Sequence, residues 1–384
     1  MPPRRESDVA VIGAGIAGAS AAAELARRRS VTLLEMEEQP GYHATGRSAA
    51  IFAESYGNQV VRALTRASRA FLEAPGPGFA EHPLLLPRGL LFIARRDQLP
   101  HLDRLQREIG AAGPVRRAEP AEAVARVPIL RRDYLAAALV DEAAMDVEVH
   151  ALHQGYLKVL KAAGGEVVTG ARATSLERAG GAWTVRTSEG DFRAPLVVDA
   201  AGAWADEVGA LAGALRIDLT PLRRTCLVVP APPGVAVAGW PLVIDAEEAF
   251  YFKPDAGRIL VSPADETPST PCDARPADLD VAVAVDRFTA CCDIEVSHVQ
   301  RRWAGLRSFV ADRTPVVGFD PRAPGFFWLA GQGGYGIQTA PALSRLCAAL
   351  ALGEPVPEDL AALGVTEADL SPRRFATPDW PPAR

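Results

Sequence analysis

The stretch "VAVIGAGIAGASAAAELA" (9–26) constrains the fold of this chain more than any other part of the sequence. A short apolar run leads into Gly13, Gly15 and Gly18, which form a GxGxxG turn in front of a helical pattern. The first glycine permits the tight turn, the second lets a pyrophosphate approach the backbone, and the third lets the helix pack on the strand. Glu35 ends the next apolar run, where its carboxylate can bind ribose hydroxyls and would repel a 2′-phosphate. The pattern predicts a βαβ unit that binds an adenine dinucleotide other than NADP.

A second glycine-rich turn lies near the other end of the chain, in "GFFWLAGQGGYGIQTAP" (325–341). There an apolar run is followed by Gly331, Gly333, Gly334 and Gly336, after which a helical pattern begins. The N-terminus of a helix favours anions because its first N–H groups are unpaired and its dipole is positive there. Two such turns predict a ligand that carries negative charge in two places.

The loop after the second predicted strand favours FAD over NAD as this ligand. It contains "HATGRSAA" (43–50), whereas a plain NAD-binding domain would continue directly into its next helix. Close backbone approach at Gly46, with the hydroxyl and guanidinium donors of Thr45, Arg47 and Ser48, suits a second phosphate or the edge of a flavin. A solvated loop is the alternative for these residues taken alone.

The order of the patterns predicts two domains. A length of 384 residues exceeds what a single hydrophobic core usually holds. Strand–turn–helix patterns occur near both ends and around Gly202, with β-rich stretches between them. We therefore predict an α/β fold, α+β over the whole chain, with a discontinuous Rossmann-type FAD-binding domain and an antiparallel-sheet substrate-binding domain. The first comprises residues 1–85, 146–214 and 308–384, and the second comprises 86–145 and 215–307.

Composition excludes several classes of protein. The net charge of −6 and the lack of a basic run argue against a nucleic-acid partner. No stretch approaches the roughly 18 apolar residues of a membrane span, so we expect no transmembrane segment. Five cysteines without CxxC or zinc-like spacing, and no room for a signal peptide, favour the cytoplasm, with peripheral attachment to the inner membrane left open. His150 and His153 lie three apart, but no further ligand completes a metal site.

Several motifs together resemble one family of flavoproteins. The GxGxxG turn, "TGRSAA", "VVDAAGAWAD", "WAGLRSF" and "GQGGYGIQT" are similar to those of the D-amino-acid oxidase/dehydrogenase family, over about residues 8–375. "GYHATGRSAA", "FYFKPDAG" and "LSPRR" most resemble its bacterial D-arginine dehydrogenases. The resemblance implies oxidation of a D-amino acid to an imino acid, with hydride passing from Cα to the flavin. Hydrolysis then gives a 2-oxo acid and ammonia. A quinone or another carrier is the expected electron acceptor, rather than O₂.

The resemblance also implies which residues contact FAD. They are Gly13, Gly15, Ala17, Gly18, Glu35, Met36, Ala44, Thr45, Gly46, Arg47, Ser48, Ala49, Gly202, Gly333, Gly334, Tyr335, Gly336, Ile337 and Gln338. The C-terminal turn would face the flavin ring, where its N–H groups favour the negative charge of the reduced state. Family members with covalent FAD use a cysteine near "WAGLRSF". No cysteine lies between Cys292 and Cys347, so we expect non-covalent FAD.

Two arginines are the expected partners of the substrate carboxylate. A guanidinium fork matches a carboxylate in shape and charge. Arg224 in "PLRRTCLVV" and Arg307 in "WAGLRSF" both lie in apolar surroundings, and the resemblance makes both carboxylate contacts. A structural salt bridge is the alternative for each, and Arg223 is an alternative to its neighbour.

Further substrate contacts follow from the resemblance. The hydroxyls of Tyr56 and Tyr251 would reach the carboxylate, and the carbonyl of Gly334 would accept a hydrogen bond from the amine, steering Cα towards flavin N5. No general base is needed if the amine loses its proton to solvent as it binds. His43 is the candidate otherwise, with a loop hydrogen bond as its simpler role.

The predicted side-chain pocket departs from the arginine-binding pattern. Leu90 stands where that pattern has an acid, and Ile51 and Ala53 replace its histidine and threonine. With Leu242 and Ile244 they predict an apolar pocket, in which an unpaired guanidinium is costly. We therefore expect apolar or aromatic D-amino acids rather than D-arginine. Glu54 is the one residue that could restore a cation site.

Three other functions remain compatible with the sequence. The first is a flavin-dependent oxidase of sarcosine or another N-methyl amino acid, which would keep the same carboxylate contacts. The second is an NAD-dependent dehydrogenase. The third is a flavin protein without catalysis.

Overall fold

The computed structural model describes residues 5–110 and 115–376, so both outer ends of the predicted FAD-binding segments lie outside the described residues. The helices are α1 Ile16–Ala26, α2 Gln59–Glu73, α3 Leu99–Gly110, α4 Pro120–Arg126, α5 Val149–Ala162, α6 Ala205–Leu211, α7 Asp278–Cys291, α8 Gly336–Ala351, α9 Glu358–Ala362 and α10 Glu367–Leu370. Short 3₁₀ turns cover Arg96–Gln98, Gly202–Trp204 and Pro372–Phe375. No helix in these described ranges is long and apolar enough to span a bilayer.

Within the described residues, the strands form four sheets. They are β1 Arg5–Glu6, β2 Val9–Ile12, β3 Val31–Leu34, β4 Ile51–Phe52, β5 Leu85–Pro87, β6 Leu90–Ala94, β7 Val115–Ala118, β8 Ala137–Asp141, β9 Met145–Val147, β10 Glu166–Val168, β11 Ser175–Ala179, β12 Ala182–Thr187, β13 Gly190–Ala194, β14 Leu196–Asp199, β15 Thr220–Val229, β16 Leu242–Asp245, β17 Tyr251–Asp255, β18 Arg258–Ser262, β19 Thr267–Pro268, β20 Arg301–Phe309, β21 Val316–Phe319 and β22 Phe326–Ala330.

A six-stranded sheet collects strands from three distant regions of the chain, in the order β10-β3-β2-β14-β22-β21. It is parallel except for the edge strand β21. Its central strands are apolar apart from Asp199 at the end of β14, because both of their faces are covered. Helices α1, α5 and α8 pack together on one face, and the fully buried alanines of α1 allow the close approach that the sequence predicted. A smaller sheet, β1-β13-β12-β11, adds its apolar side chains to the core on the other face.

The carboxyl ends of three neighbouring strands bring the glycine turns together. Strand β2 runs into Gly13, β14 into Gly202, and β22 into Gly331. Parallel strands place their carboxyl ends at one edge of a sheet, which is where ligands bind in such folds. Turns more than 300 residues apart in the sequence thus face the same space.

A nine-stranded sheet lies beside this edge, in the order β19-β15-β18-β17-β16-β6-β8-β7, with β20 paired along β15. Its strands belong to the two segments predicted for the substrate domain, and only the end of β20 passes residue 307. The prediction of an antiparallel sheet needs one correction, since β16 and β6 are parallel. These two strands come from different segments, so no hairpin fixes their relative direction.

The fourth sheet has three strands, in the order β4-β9-β5. Strand β4 holds Ile51 opposite Asp146, and the chain then turns so that the Tyr56 N–H donates to the Ala53 carbonyl at 3.1 Å. This small sheet holds the start of the loop that carries Tyr56.

Candidate active site

One cavity of about 480 Å³ runs along the carboxyl edge of the six-stranded sheet. It extends from Glu35 at one end to Arg307 and Tyr251 at the other. Most of the predicted cofactor residues line it, namely Gly13, Gly15, Ala17, Glu35, Met36, Ala44, Thr45, Arg47, Ser48, Ala49, Gly202, Gly333, Gly334, Gly336 and Ile337. Gly18, Gly46, Tyr335 and Gln338 are not part of its wall.

The first glycine turn is closed too tightly for side chains. Gly13 has φ +101°, and a Cβ there would lie 2.5 Å from the Ala200 carbonyl oxygen. A Cβ on Gly18 would lie 1.8 Å from the Gly13 carbonyl oxygen, so this glycine serves the packing of α1 against the turn. The Ile16 N–H, in the first turn of α1, donates to Thr45 Oγ1 at 2.9 Å. The loop residue Thr45 therefore reaches the helix N-terminus that the motif predicted as an anion site.

Glu35 holds the same turn through its carboxylate. Oε2 accepts from the Ala14 N–H at 2.8 Å, and Oε1 accepts from the Glu37 N–H at 3.0 Å. Burial raises the pKa of Glu35, against the lowering effect of these two hydrogen bonds. The carboxylate both fixes the turn and borders the cavity, as a ribose-binding acid would.

Arg47 has partners that the sequence did not indicate, although it also lines the cavity. Its guanidinium donates to the carbonyls of Ala274 and Ala304, at 3.0 and 2.9 Å, and pairs with Asp273. Arg47 therefore fastens the 43–50 loop to the chain of the second predicted domain. The motif alone gave no sign of these partners, which lie more than 220 residues away. Contact of the same side chain with a phosphate or the flavin edge stays a prediction.

Two of the histidines considered above, His43 and His153, form hydrogen bonds within the protein. His43 Nε2 donates to the Glu37 carboxylate at 2.8 Å, and its ring packs on Trp204 at 4.7 Å between centroids. His153 Nε2 donates to the Ala14 carbonyl at 2.9 Å. Burial lowers the pKa of His153, which keeps the ring neutral in support of the first glycine turn. His150 is exposed.

The second glycine turn lies against the end of the cavity that holds the arginines. Gly333 has φ +55°, and a Cβ there would meet the Phe309 ring at 2.0 Å. A Cβ on Gly334 would lie 2.9 Å from Arg307 Nη1. Gln338 points away from the wall, since its Oε1 accepts from the Ala53 N–H at 3.1 Å. The turn thus places bare backbone beside the guanidinium at the start of α8.

Arg307 is the charged group at this end that lacks a counter-ion. Its Nη1 donates to the Tyr56 hydroxyl at 3.5 Å, and no carboxylate within the described residues lies in ion-pair distance. Burial alone would lower the pKa of Arg307. The nearby Tyr56, Tyr251 and Cys226 raise it by more than that, so the pKa lies above its ordinary value and the side chain stays charged. A partly buried cation without an acid is costly, and it calls for an anionic ligand.

Arg224 faces the cavity and Arg223 does not. Successive residues of a strand point to opposite faces, and Arg223 pairs with Asp280 at 2.7 Å on the other side of β15. Arg224 Nε donates to the Asp265 carbonyl at 2.9 Å, and Nη2 donates to Glu266 Oε1 at 3.3 Å. The sequence reading missed Glu266, because only the pairing of β19 with β15 brings it beside Arg224.

Two tyrosines surround the arginines. Tyr251 lines the cavity, its hydroxyl lies 3.6 Å from Cys226 Sγ, and burial raises the pKa of Tyr251 to about 12. Tyr56 is not in the cavity wall but contacts Tyr335 at 5.0 Å between ring centroids and receives the hydrogen bond of Arg307. Both phenols are therefore neutral hydrogen-bonding groups near the guanidinium. Cys226 was not predicted.

The five predicted apolar pocket residues meet in one cluster, with Tyr56, Tyr251 and Cys226. They are Ile51, Ala53, Leu90, Leu242 and Ile244. None of them borders the cavity, so the apolar cluster is packed closed behind Tyr251 in this structure. Sequence patterns reveal that such residues are apolar, but the space between them depends on the packing of three separate strands.

Two acids lie near this cluster: Glu54, which was considered as a cation site, and Asp141. Glu54 Oε1 accepts from Arg69 Nε at 2.6 Å, so its charge is already paired outside the cavity. Asp141, which the sequence reading did not single out, lies opposite Leu90 on β8. Its Oδ2 accepts from the Ser55 hydroxyl at 2.6 Å, and both residues are buried. This hydrogen bond ties the Tyr56 loop to the sheet.

Comparisons with known proteins agree with this geometry. A family model described as FAD dependent oxidoreductase matches residues 8–350. The glycine oxidase of Geobacillus kaustophilus is 27% identical over 371 residues, covering 94% of this chain and 96% of that protein. A crystal structure of glycine oxidase from G. kaustophilus gives a TM-score of 0.82 over 94% of this chain and 98% of that one, at 26% identity. A crystal structure of iminodiacetate oxidase from Chelativorans sp. BNC1 gives a TM-score of 0.79, covering 95% of this chain and 98% of that one, also at 26% identity.

Proposed function

Since the chain belongs to the family of FAD-dependent oxidoreductases, we propose that it oxidises the amine of a small, neutral amino acid that carries one carboxylate. The observation that carries this proposal is Arg307, a guanidinium that opens into the cofactor cavity without an acid beside it. A substrate carboxylate would supply the missing counter-ion next to the turn that faces the flavin.

The residues of the cavity fit FAD along its length. The N-terminus of α1, with Gly13 and Gly15, would hold the pyrophosphate, and Glu35 would bind ribose hydroxyls. The turn of Gly333 and Gly334 would face the flavin, because both positions leave bare backbone at the wall. When bound, FAD supplies the two-electron acceptor for the amine oxidation.

The substrate contacts follow from the arrangement around Arg307. Arg224 has one nitrogen, Nη1, without a hydrogen bond to the described residues, which leaves it free for a carboxylate. The phenol of Tyr251 would donate to the same group, while Tyr56, outside the cavity wall, would hold the Arg307 guanidinium in place. The Gly334 carbonyl would accept from the amine, so that the carboxylate and amine contacts together orient Cα.

The closed apolar cluster supports a small apolar side chain over an aromatic one. We also expect D-arginine to be a poor substrate, because Glu54, the acid that could have bound its guanidinium, is already paired with Arg69. We propose the D-enantiomer for chiral substrates, on the motifs shared with D-arginine dehydrogenases. On the same grounds we propose a quinone or another carrier as the electron acceptor, and hydrogen peroxide released at the rate of turnover would contradict it.

A second candidate is the oxidation of glycine or an N-substituted glycine such as sarcosine. The similarity to glycine oxidase and iminodiacetate oxidase favours it. The closed cluster favours it too, because these substrates have no side chain on Cα.

Anaerobic reduction of the flavin by a panel of amino acids tests the proposal. D-alanine, D-leucine, D-phenylalanine, D-arginine, glycine and sarcosine, with the L-enantiomers as controls, would be mixed with the purified protein while flavin absorbance is followed. We expect D-alanine to bleach the flavin fastest among the chiral substrates, and D-arginine slowly. Faster bleaching by glycine or sarcosine would select the second candidate. Bleaching by none of these compounds would contradict both candidates.

A further inference from the structure

Glu266 lies at the carboxylate-binding end and is shared by two arginines. Its Oε1 accepts from Arg224 Nη2 at 3.3 Å and from Arg313 Nη1 at 3.2 Å, while Oε2 pairs with Arg313 Nη2. Arg313 is therefore the principal partner of Glu266, and Arg224 makes the weaker of the two contacts. A substrate carboxylate can take over Arg224 without leaving Glu266 unpaired.

The position of this trio is set by the fold. Glu266 directly precedes β19, which pairs with β15 at Leu222 and Arg223 and so brings the acid beside Arg224. Arg313 follows β20, and its guanidinium stacks on the Phe309 ring at 4.3 Å. Phe309 in turn lies beneath Gly333 of the second glycine turn. The three side chains thus connect the carboxylate-binding residues with the turn expected to face the flavin.

The charges at this end nearly balance before a substrate binds. Arg224, Arg307 and Arg313 are positive, and Glu266 is negative. Glu248 interacts electrostatically with Arg313, and the carboxylate of Asp265 interacts with Arg224, so both add negative charge. One substrate carboxylate can pair with Arg307 and Arg224, whereas a second would add negative charge near Glu266, an exposed acid whose effect solvent weakens.

We propose that Glu266 is a specificity-determining residue, which shares Arg224 in the free protein and restricts the site to substrates with a single carboxylate. The inference rests on the proposed function, because it assumes that the substrate carboxylate binds Arg307 and Arg224. It predicts discrimination against acidic D-amino acids and against N-carboxymethyl glycine, even though the chain is similar to an iminodiacetate oxidase.

The test compares the binding of propionate and succinate to the FAD-loaded protein. Neither acid has an amine to oxidise, so their dissociation constants can be read from changes in flavin absorbance. In the wild type we expect propionate to bind more tightly than succinate. Glu266→Gln should tighten both, succinate more strongly, so that the ratio of the two constants falls about tenfold, which is about 1.4 kcal/mol. Removal of one negative charge favours a dianion more than a monoanion.

A matched control and a second variant complete the test. Glu354→Gln removes an acid paired with Arg28 on the surface, and should leave the ratio unchanged. Arg313→Met leaves Glu266 with Arg224 as its remaining partner, and should weaken propionate binding severalfold. If Glu266→Gln does not fold, the Arg313→Met variant tests the inference on its own. Propionate binding by Arg313→Met that is unchanged or tighter would overturn the inference.

The outcomes separate this inference from the function on which it rests. A wild type that binds neither acid would contradict the proposed carboxylate site itself. A wild type that binds propionate, with a Glu266→Gln variant whose ratio is unchanged, would overturn only the role of Glu266.

Discussion

The two ends of the cavity are built in different ways. At the cofactor end the wall is mostly backbone, and glycines at 13, 15, 333 and 334 keep side chains out of it. At the substrate end the wall consists of charged and phenolic side chains from β15, β17 and β20, strands that lie far apart in the chain. The first end depends on local turns, whereas the second depends on how distant strands pair. Substitutions should therefore affect cofactor binding at one end and substrate binding at the other.

The largest effect is expected at the first glycine turn. Gly18→Ala places a Cβ 1.8 Å from the Gly13 carbonyl oxygen, so helix α1 must move away from the turn. We expect the purified variant to contain little or no FAD, measured as the ratio of flavin to protein absorbance. Gly239→Ala is the control, because its φ lies outside the left-handed region and a Cβ there meets nothing within 4 Å. A Gly18→Ala protein with full FAD content would contradict the cofactor position.

At the substrate end, Arg307→Met should retain FAD and lose turnover. Removal of one partner of a desolvated, hydrogen-bonded charge pair costs about 2–5 kcal/mol, so kcat/KM should fall on the order of a thousandfold. Steady-state kinetics with the best substrate of the panel measures this. Arg223→Met, which removes an arginine from the opposite face of β15, should change kcat/KM less than about threefold. Equal losses in both variants would show that neither arginine has a specific role.

These two ends also differ in how far the sequence could predict them. The GxGxxG turn and Glu35 could be recognised because their residues lie close together in the chain. The fold and the cofactor that they predicted are confirmed. The partners of Arg47 and Arg224 lie 41 to 257 residues away in the chain, a separation that no local pattern reports. The apolar character of Leu90 was readable from the sequence, but the closure of its cluster was not. The D-arginine dehydrogenase subgroup stays a prediction, since the relatives described above are glycine and iminodiacetate oxidases.

A buried acid beside the cofactor turn gives a pH-dependent prediction. Asp199 is fully buried, Oδ1 accepts from the Ala201 N–H at 3.0 Å, and Oδ2 has no partner among the described residues. Burial raises the pKa of Asp199 well above its ordinary value. The folded protein then binds a proton that the unfolded chain has lost, so wild-type stability falls as pH rises above about 4 towards the folded-state pKa.

Asp199→Asn removes this titration. Relative to the wild type, the variant should gain on the order of 1–2 kcal/mol as pH rises from 4 to 8, measured by urea unfolding. Asp8→Asn is a control of opposite sign, because hydrogen bonds from Ser30 lower the pKa of Asp8. Relative to the wild type, that variant should lose stability as pH rises towards about 5, where the carboxyl of the unfolded chain is still partly protonated, and should change little above that. A gap between Asp199→Asn and wild type that does not vary with pH would contradict a protonated Asp199.

The smallest effect is expected at Cys272. This exposed thiol lines the cofactor cavity, although it lies outside the "WAGLRSF" region on which the expectation of non-covalent FAD was based. We expect acid precipitation to release all flavin from the wild type and from Cys272→Ala alike. Flavin that stays with the precipitated wild type and not with the variant would show a covalent link through this cysteine.

The central claim is that Arg307 binds the substrate carboxylate beside the flavin. The most direct test is to remove that carboxylate from the substrate. Anaerobic bleaching of the flavin by D-alanine would be compared with bleaching by D-alaninamide, in the wild type and in Arg307→Met. If glycine proves the better substrate, glycine and glycinamide serve instead. The account predicts that the wild type reacts with the amide at least a hundredfold more slowly, and that the two rates become similar in the variant. Equal rates for acid and amide in the wild type would contradict it.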